Sequence, residues 1–266
     1  MQKELRAHLE DTLEKFNAFP TRMTREEDIR SLIEQLFPVA TDKELVRLGP
    51  ADDGGYLVPD DLGGISTCFS PGVSSISGFE LDCANLGMQV YLADRSVDRP
   101  AEEHKNFHFT KKFVGSTAVE GFTTLERWVS GASVERESDL MLQMDVEGYE
   151  FEIFLSCNEA LINRFRIIVA EFHMLDQLWN APFFRIANST FNKILKTHAC
   201  VHIHPNNCCG TIQKRGLSIP RVMEFTFFRR DRIRKSAFQT SFPHALDGHN
   251  TPNQPLLLPK CWYRQP

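Results

Sequence analysis

The stretch Leu140-Met141-Leu142-Gln143-Met144-Asp145-Val146-Glu147-Gly148-Tyr149-Glu150 decides how this chain is read. Its first five residues have the mostly apolar character of a buried strand. It then delivers two carboxylates and a glycine and runs on with the helical spacing of Phe151, Ile153 and Phe154. In an open α/β sheet, ligands bind outside the carboxyl ends of the strands. Asp145 and Glu147 therefore stand where a ligand is expected. Two further strand-like runs end in the same manner. Residues 65–73 close with Ser70-Pro71-Gly72-Val73, and residues 89–93 are followed by Asp94. Three strands that each stop at a ligand-competent residue point to a nucleotide-type pocket.

Outward from that stretch, strand and helix patterns alternate from Leu45 onward. Strands are expected at 56–58, 66–69, 89–93, 107–113, 140–144, 167–172, 200–204 and 224–228. Helices are expected at 79–86, 123–129, 150–156, 160–163 and 190–196. This alternation implies a doubly wound α/β architecture, with a mostly parallel sheet covered on both faces. Residues 222–228 follow His202 and His204 after a loop containing Gly210 and Gly216, and read as an antiparallel hairpin strand at the C-terminal end. Before this domain, Leu5, Leu9, Leu13 and Phe16, and then Ile29, Leu32, Ile33 and Leu36, recur at helical intervals, with Thr24 and Asp28 at a helix start. Residues 1–44 thus read as an N-terminal helical cap, or alternatively as a substrate lid. Residues 45–235 form the main domain. The proline-rich tail 236–266 (Pro243, Pro252, Pro255, Pro259) is expected to wrap over it or to be partly disordered.

The bulk composition narrows the function classes. The 266 residues are 42% apolar and 24% charged, ordinary for a globular chain with a full core. A formal net charge of -5 supplies no field for nucleic acid or anionic membrane. No run approaches the ~20 apolar residues of a membrane span, and the charged N-terminus lacks the apolar core of a secretory signal. Seven cysteines, an odd count without framework spacing, fit reduced thiols and a cytoplasmic location.

Five segments taken in order carry a family resemblance. They are Ser70-Pro71-Gly72-Val73 with Phe79-Glu80, Asp94-Arg95-Ser96-Val97-Asp98, Asp145-Val146-Glu147-Gly148, Glu171-Phe172-His173, and His202-Ile203-His204-Pro205-Asn206-Asn207. Together with Asp53-Gly54-Gly55-Tyr56, this pattern over residues 45–230 resembles the FkbM-type family of S-adenosylmethionine-dependent methyltransferases. The resemblance implies a class I methyltransferase, Rossmann-like fold with a seven-stranded sheet. It implies S-adenosylmethionine as cofactor and O-methylation of a sugar or other small hydroxylated acceptor. The chain departs from many methyltransferases in its first loop, where Gly72 and Gly78 stand in place of a Gly-x-Gly-x-Gly run.

On this reading the cofactor-binding candidates are Ser70, Gly72, Val73, Asp94, Ser96, Asp145 and Glu147. Gly72 lets a ligand approach the backbone, or is a plain turn residue. Asp94, about twenty residues further on, is placed to accept the ribose hydroxyls, or caps the next segment. Asp145 and Glu147 lie at the junction of methyl donor and acceptor, or serve the following helix as cap and first-turn acid. His202 and His204 share a sheet face. The strand ends carrying Asp145, His173 and His204 are expected to be neighbours. That trio is the catalytic candidate and has three readings: an open divalent-metal site, a metal-free site with His173 or His204 as general base, or histidines that only hydrogen-bond in the core. A zinc site of His202, His204 and the adjacent Cys208 and Cys209 fits the usual ligand spacing poorly. The run Arg229-Arg230-Asp231-Arg232-Ile233-Arg234-Lys235 is a solvated strand end or a guide for an anionic substrate. Tyr56, Phe69 and Trp179 are candidate walls for adenine or acceptor. Two rival functions remain: a nicotinamide-dependent oxidoreductase, disfavoured by the missing Gly-x-Gly-x-x-Gly, and a non-catalytic binding protein on the same fold.

Overall fold

The computed structural model describes residues 12–15, 17, 19–135 and 138–266. Leu5, Leu9 and Phe16 of the first expected helical stripe lie outside them. The second stripe forms α1 (Glu26–Gln35), which buries Ile29, Leu32 and Ile33. None of the helices among the described residues is long and apolar enough to cross a membrane.

The chain builds a seven-stranded central sheet from β1 (Ile65–Pro71), β2 (Gln89–Ala93), β3 (Phe107–Thr110), β4 (Asp139–Met144), β5 (Phe165–Phe172), β6 (His198–Pro205) and β7 (Met223–Arg229). Their spatial order is β6-β7-β5-β4-β1-β2-β3. Strands β3, β2, β1, β4 and β5 pair in parallel, and β7 runs antiparallel between β5 and β6. This is the doubly wound, Rossmann-like sheet of a class I methyltransferase fold, with its antiparallel strand one position in from the edge.

Side-chain alternation along the strands divides the core in two. Leu140, Leu142 and Met144 of β4 enter one apolar cluster, and Met141 the other. Ile168, Ala170 and Phe172 of β5 likewise face away from Ile167 and Val169. The first face is covered by α1 and by α3 (Leu125–Gly131), α4 (Glu150–Ser156), α5 (Glu159–Arg164) and α6 (Ala181–Leu195). The second is covered by α2 (Gly78–Asn85) and a hairpin, in which Leu45–Leu48 pairs with Tyr56–Pro59. The strand expected at 56–58 therefore exists but lies on the sheet rather than in it. The run expected as one strand at 107–113 breaks after Thr110. Its end, Phe113–Gly115, forms a separate parallel ladder with Phe122–Thr124.

The tail is packed against this core. Ser236–Phe238 pairs with Val39–Thr41, and Trp262 is fully buried with its indole Nε1 donating to the Ser218 carbonyl at 3.0 Å. Asn207, just beyond β6, accepts from Thr251 N (2.9 Å) and donates to the Asn253 carbonyl (3.0 Å). The basic run sits at the opposite edge of the sheet from the carboxyl ends. There Arg229 pairs with Asp139 and Arg232 with Asp61. It anchors strand ends, and its position excludes the role of guiding a substrate to the carboxyl edge.

The ends of β1, β2 and β4 are stitched together at Gly72. Its amide donates to the Ala93 carbonyl (2.9 Å), and the Asp145 amide donates to the Pro71 carbonyl (3.2 Å). Gly72 has φ +89°, and a Cβ there would lie 1.5 Å from the Asp145 carbonyl oxygen. Gly72→Ala must therefore both strain its own backbone and push two strand ends apart. We expect it to lower stability by about 2–5 kcal/mol, measured by urea unfolding. Wild-type stability in that variant would show that the crossing is not a constraint.

Candidate functional site

The carboxyl ends of β1, β2 and β4 enclose a cavity of about 390 Å³, lined among others by Gly72, Ser74, Asp94, Ser96, Asp145 and Glu147. Its size is that of a small-ligand pocket, ~300–1,000 Å³. Three aromatic rings complete the lining. Phe113 and Phe122 come from the 113–124 ladder, and Tyr149 from the turn before α4. Phe122 lies 5.4 Å from Phe113 and 6.1 Å from Tyr149, centroid to centroid. These rings, and not Tyr56, Phe69 and Trp179, wall the cavity. Phe69 and Trp179 are buried in the first apolar cluster, and Tyr56, on the hairpin itself, is buried in the second. The sequence signal for the real walls was faint, because Phe113 and Tyr149 are partly exposed aromatics without periodic context.

Asp94 ties two loops together. Its Oδ2 accepts from Ser74 N (2.9 Å), and its Oδ1 accepts from Ser96 N and Oγ (both 2.7 Å). A carboxylate offers about four acceptor directions, so one remains for a ligand in the cavity. Ser70 and Val73 do not line it. Val73 packs in the apolar cluster under α2. The buried Ser70 hydroxyl donates to Gln143 Oε1 (2.7 Å) and shares a hydrogen bond with Glu80. Burial lifts the Glu80 carboxyl to about 7, so it can carry the proton of that bond.

The turn after β4 is held by a residue the sequence reading passed over. Glu150, the first residue of α4, is fully buried. Its Oε1 accepts from Val146 N (3.3 Å), Gly148 N (3.0 Å) and His173 Nδ1 (3.0 Å). Asp145 does not cap α4, whose N-cap is Tyr149 without a side-chain bond. With Nδ1 turned to Glu150, the His173 Nε2 faces Glu147 (3.4 Å), Glu171 (3.7 Å) and Asp145 (3.9 Å). Two non-glycine residues in the left-handed region, Glu147 (φ 54°) and Met174 (φ 56°), follow β4 and β5 at this group, and a third, Ser74 (φ 42°), follows β1 beside Asp94. Such strain persists only where surrounding structure over-determines it, and it gathers at functional sites.

The expected trio of Asp145, His173 and His204 is not assembled. Across the sheet, His204 lies opposite Glu224 and Glu224 opposite Glu171. Because β7 separates β6 from β5, His204 stands two strand spacings, about 10 Å, from Glu171 and three from Asp145. His204 Nδ1 lies instead 3.7 Å from Asp247 of the tail, which also accepts from His202 Nε2 at 2.8 Å. Glu171 takes the place expected for His204. The antiparallel strand expected at 222–228 is present, but it lies between β5 and β6 and so keeps their ends apart.

The group is strongly acidic. Burial, reinforced by Glu147 and Glu150 against the opposing His173, pushes Asp145 up to about 7. Burial and the neighbouring Asp145 and Glu224 hold Glu171 well above the ordinary carboxylate range. Burial alone would lower His173, but its bond to Glu150 and the carboxylates of Asp145 and Glu147 keep it above its usual value.

No protein-family model matches the sequence, and no curated protein matches it. Among solved structures the chain is similar to a fibrillarin/Nop5p complex, with TM-score 0.37 and 14% identity over 63% of this chain and 73% of that one. It is also similar to a Burkholderia thailandensis 1,6-didemethyltoxoflavin-N1-methyltransferase with bound S-adenosylhomocysteine, with TM-score 0.32 and 11% identity over 63% and 72% of the two chains. A third likeness is a 16S rRNA (adenine(1408)-N(1))-methyltransferase from Catenulisporales acidiphilia, with TM-score 0.30 and 9% identity over 71% and 100%. These are distant likenesses.

Asp247 bonds His202, faces His204 at 3.7 Å and ties the tail to β6, so Asp247→Asn should destabilise the protein by about 1.5–3 kcal/mol near pH 5–6. Burial opposes ionisation of Asp247, but the bonds to His202 and His204 outweigh it and hold its carboxyl below the usual range. Its contribution is therefore full above the unfolded carboxyl value near ~3.9 and is lost as the pH falls through the folded value. For His204, burial lowers the value but the Asp247 bond raises it above the ordinary one. That contribution is full below ~6.5 and is lost as the pH rises through the folded value. The difference between wild type and variant should thus peak between about pH 4 and 6.5. Melting curves across pH check this; a difference that keeps growing toward alkaline pH contradicts the pairing.

Proposed function

We propose that this protein is an S-adenosylmethionine-dependent methyltransferase acting on an oxygen of a sugar or other small hydroxylated acceptor. One observation carries the reading: Gly72, Asp94 and Asp145, from three strand ends, meet in one cavity beside the His173 group. On this reading Asp94 accepts from one ribose hydroxyl with its remaining acceptor direction, and the Phe113, Phe122 and Tyr149 rings enclose the base. Asp145 lines the cavity and also faces His173, so it marks the junction where donor and acceptor meet. Its carboxylate suits the positive sulfonium. The protein must align the methyl carbon with the acceptor oxygen and help that oxygen lose its proton. The second task falls to the group around His173.

The acceptor edge is crowded with carboxylates, which accept hydrogen bonds from hydroxyls and repel phosphate. That favours a neutral, hydroxylated small molecule over nucleic acid, whose binding rests on phosphate neutralisation. A dinucleotide reading meets a specific obstacle: the Gly72 amide is already bonded to Ala93 and is not free to cradle a pyrophosphate.

Calorimetric titration with S-adenosylhomocysteine tests the proposal. Binding is expected in the wild type. Asp94→Ala should weaken it about 10- to 100-fold, the loss of a charged hydrogen bond. Absence of S-adenosylhomocysteine binding, together with tight binding of a nicotinamide dinucleotide, would reject the methyltransferase reading.

A further inference from the structure

We propose that Asp145, Glu171 and His173 form a site for one divalent cation at the edge of the cavity. Their geometry is the first support. One donor atom from each lies within 4.8 Å of the others. His173 Nε2 stands 3.7 Å from Glu171 Oε1 and 3.9 Å from Asp145 Oδ1. Donors held ~2.1 Å from a common centre lie about 3.0–3.4 Å apart in octahedral or tetrahedral arrangement. Closing on an ion thus asks the donors to draw together by roughly 0.3–0.9 Å along the two His173 distances.

An independent observation points to a missing partner. Asp145 Oδ1 is shielded from solvent and has no hydrogen-bond partner, whereas buried polar atoms are almost always partnered. It faces an imidazole nitrogen and other acceptors. Glu171, only 4% exposed, points its carboxylate at the same nitrogen. Buried charges are paired or coordinate metals. Arg47, whose charge acts on the neighbouring Glu224 and His204, is spent on the carbonyls of Pro50, Asp52 and Leu246.

The surroundings are those of a coordinated site. A metal-bound histidine characteristically gives its other ring nitrogen to a carboxylate or carbonyl, which fixes its tautomer and orientation. Here Glu150 takes His173 Nδ1 at 3.0 Å. Glu171 is oriented in the same way by Asn206 Nδ2 at 3.0 Å. Two carboxylates and one imidazole suit Mn²⁺ or a similar divalent ion. Three protein donors leave positions open for water or an acceptor oxygen. The ion site stands on its own, and only its role rests on the methyltransferase reading. The acceptor hydroxyl would ligate the ion and become more acidic. Its proton would pass to the exposed Glu147 carboxylate and on to water. The freed electron pair would form the C–O bond as the C–S bond breaks, leaving a neutral thioether.

The full-length protein is titrated with Mn²⁺ while the electron paramagnetic resonance signal of the free ion is followed. S-adenosylhomocysteine affinity is measured calorimetrically on the same samples. One Mn²⁺ should bind per chain. His173→Ala and Glu171→Gln should each weaken it at least tenfold, and Glu150→Gln about 10- to 100-fold. His204→Ala, beyond reach of the site, should leave it within twofold. If Glu171→Gln does not fold, the partly exposed Asp145→Asn replaces it with the same expected loss. No saturable Mn²⁺ binding, or equal binding by wild type and these ligand variants, overturns the proposal. A wild type that binds S-adenosylhomocysteine but no Mn²⁺ sinks the ion alone. The reverse result sinks the methyltransferase reading alone.

Discussion

The close passage of Gly72 beneath the Asp145 carbonyl is the constraint on which the site depends. Parallel strands end at the same edge, but their following loops ordinarily diverge to reach helices on the sheet's faces. Here the first loop is pulled toward β2 by the Gly72–Ala93 bond and toward β4 by the Asp145–Pro71 bond. Only a residue without Cβ can occupy that crossing. The loops then have to open around it, and the cavity lined by Asp94, Asp145 and Glu147 is the space they leave.

The same crossing sets the electrostatics. With Asp145 fixed at the end of β4, the register across the sheet brings Glu171, Glu224 and His204 into one row on one face. Helices could cover such a row only by burying more apolar surface against charge. The chain instead covers it with a short hairpin and a tail whose polar side chains are directed at the row. Asn250 donates to Glu224 and Asp53, and Asp247 pairs with His202 and His204 of β6. The tail thereby closes the end of the row remote from the cavity, and the acidic group near His173 stays at the open end.

Much of this was legible in the sequence because it follows from period and from chemistry at strand ends. The apolar run before Asp145 gave β4. The glycine after Pro71 and the acid after Ala93 gave two sides of the cavity. The illegible parts share a cause: they depend on which strands are neighbours. Nothing local in residues 198–205 or 223–229 says that β7 slips between β5 and β6, so His204 was expected beside His173 and Glu171 was undervalued. Glu150 was hidden for a different reason. A glutamate at the start of a helix is commonplace, and its burial is visible only once the turn folds back over it. Phe113, at the end of an apparent strand, joined the cavity because that strand breaks at Thr110.

Glu150 shows how one side chain can couple the two halves of the site. A single oxygen receives two amides of the Val146-Glu147-Gly148 turn and the imidazole of His173. Each bond alone is worth only about 1.5–3 kcal/mol as a charged contact, but together they over-determine a turn in which Glu147 is held at φ 54°. That turn lines the cavity, while the imidazole faces the acidic group. A ligand that moves the turn therefore also moves the orientation of His173, and a partner that fixes His173 also stiffens the cavity wall. Coupling of this kind is reciprocal by thermodynamic necessity. Occupation of the cavity and occupation of the acidic group should each alter affinity for the other, through one buried carboxylate.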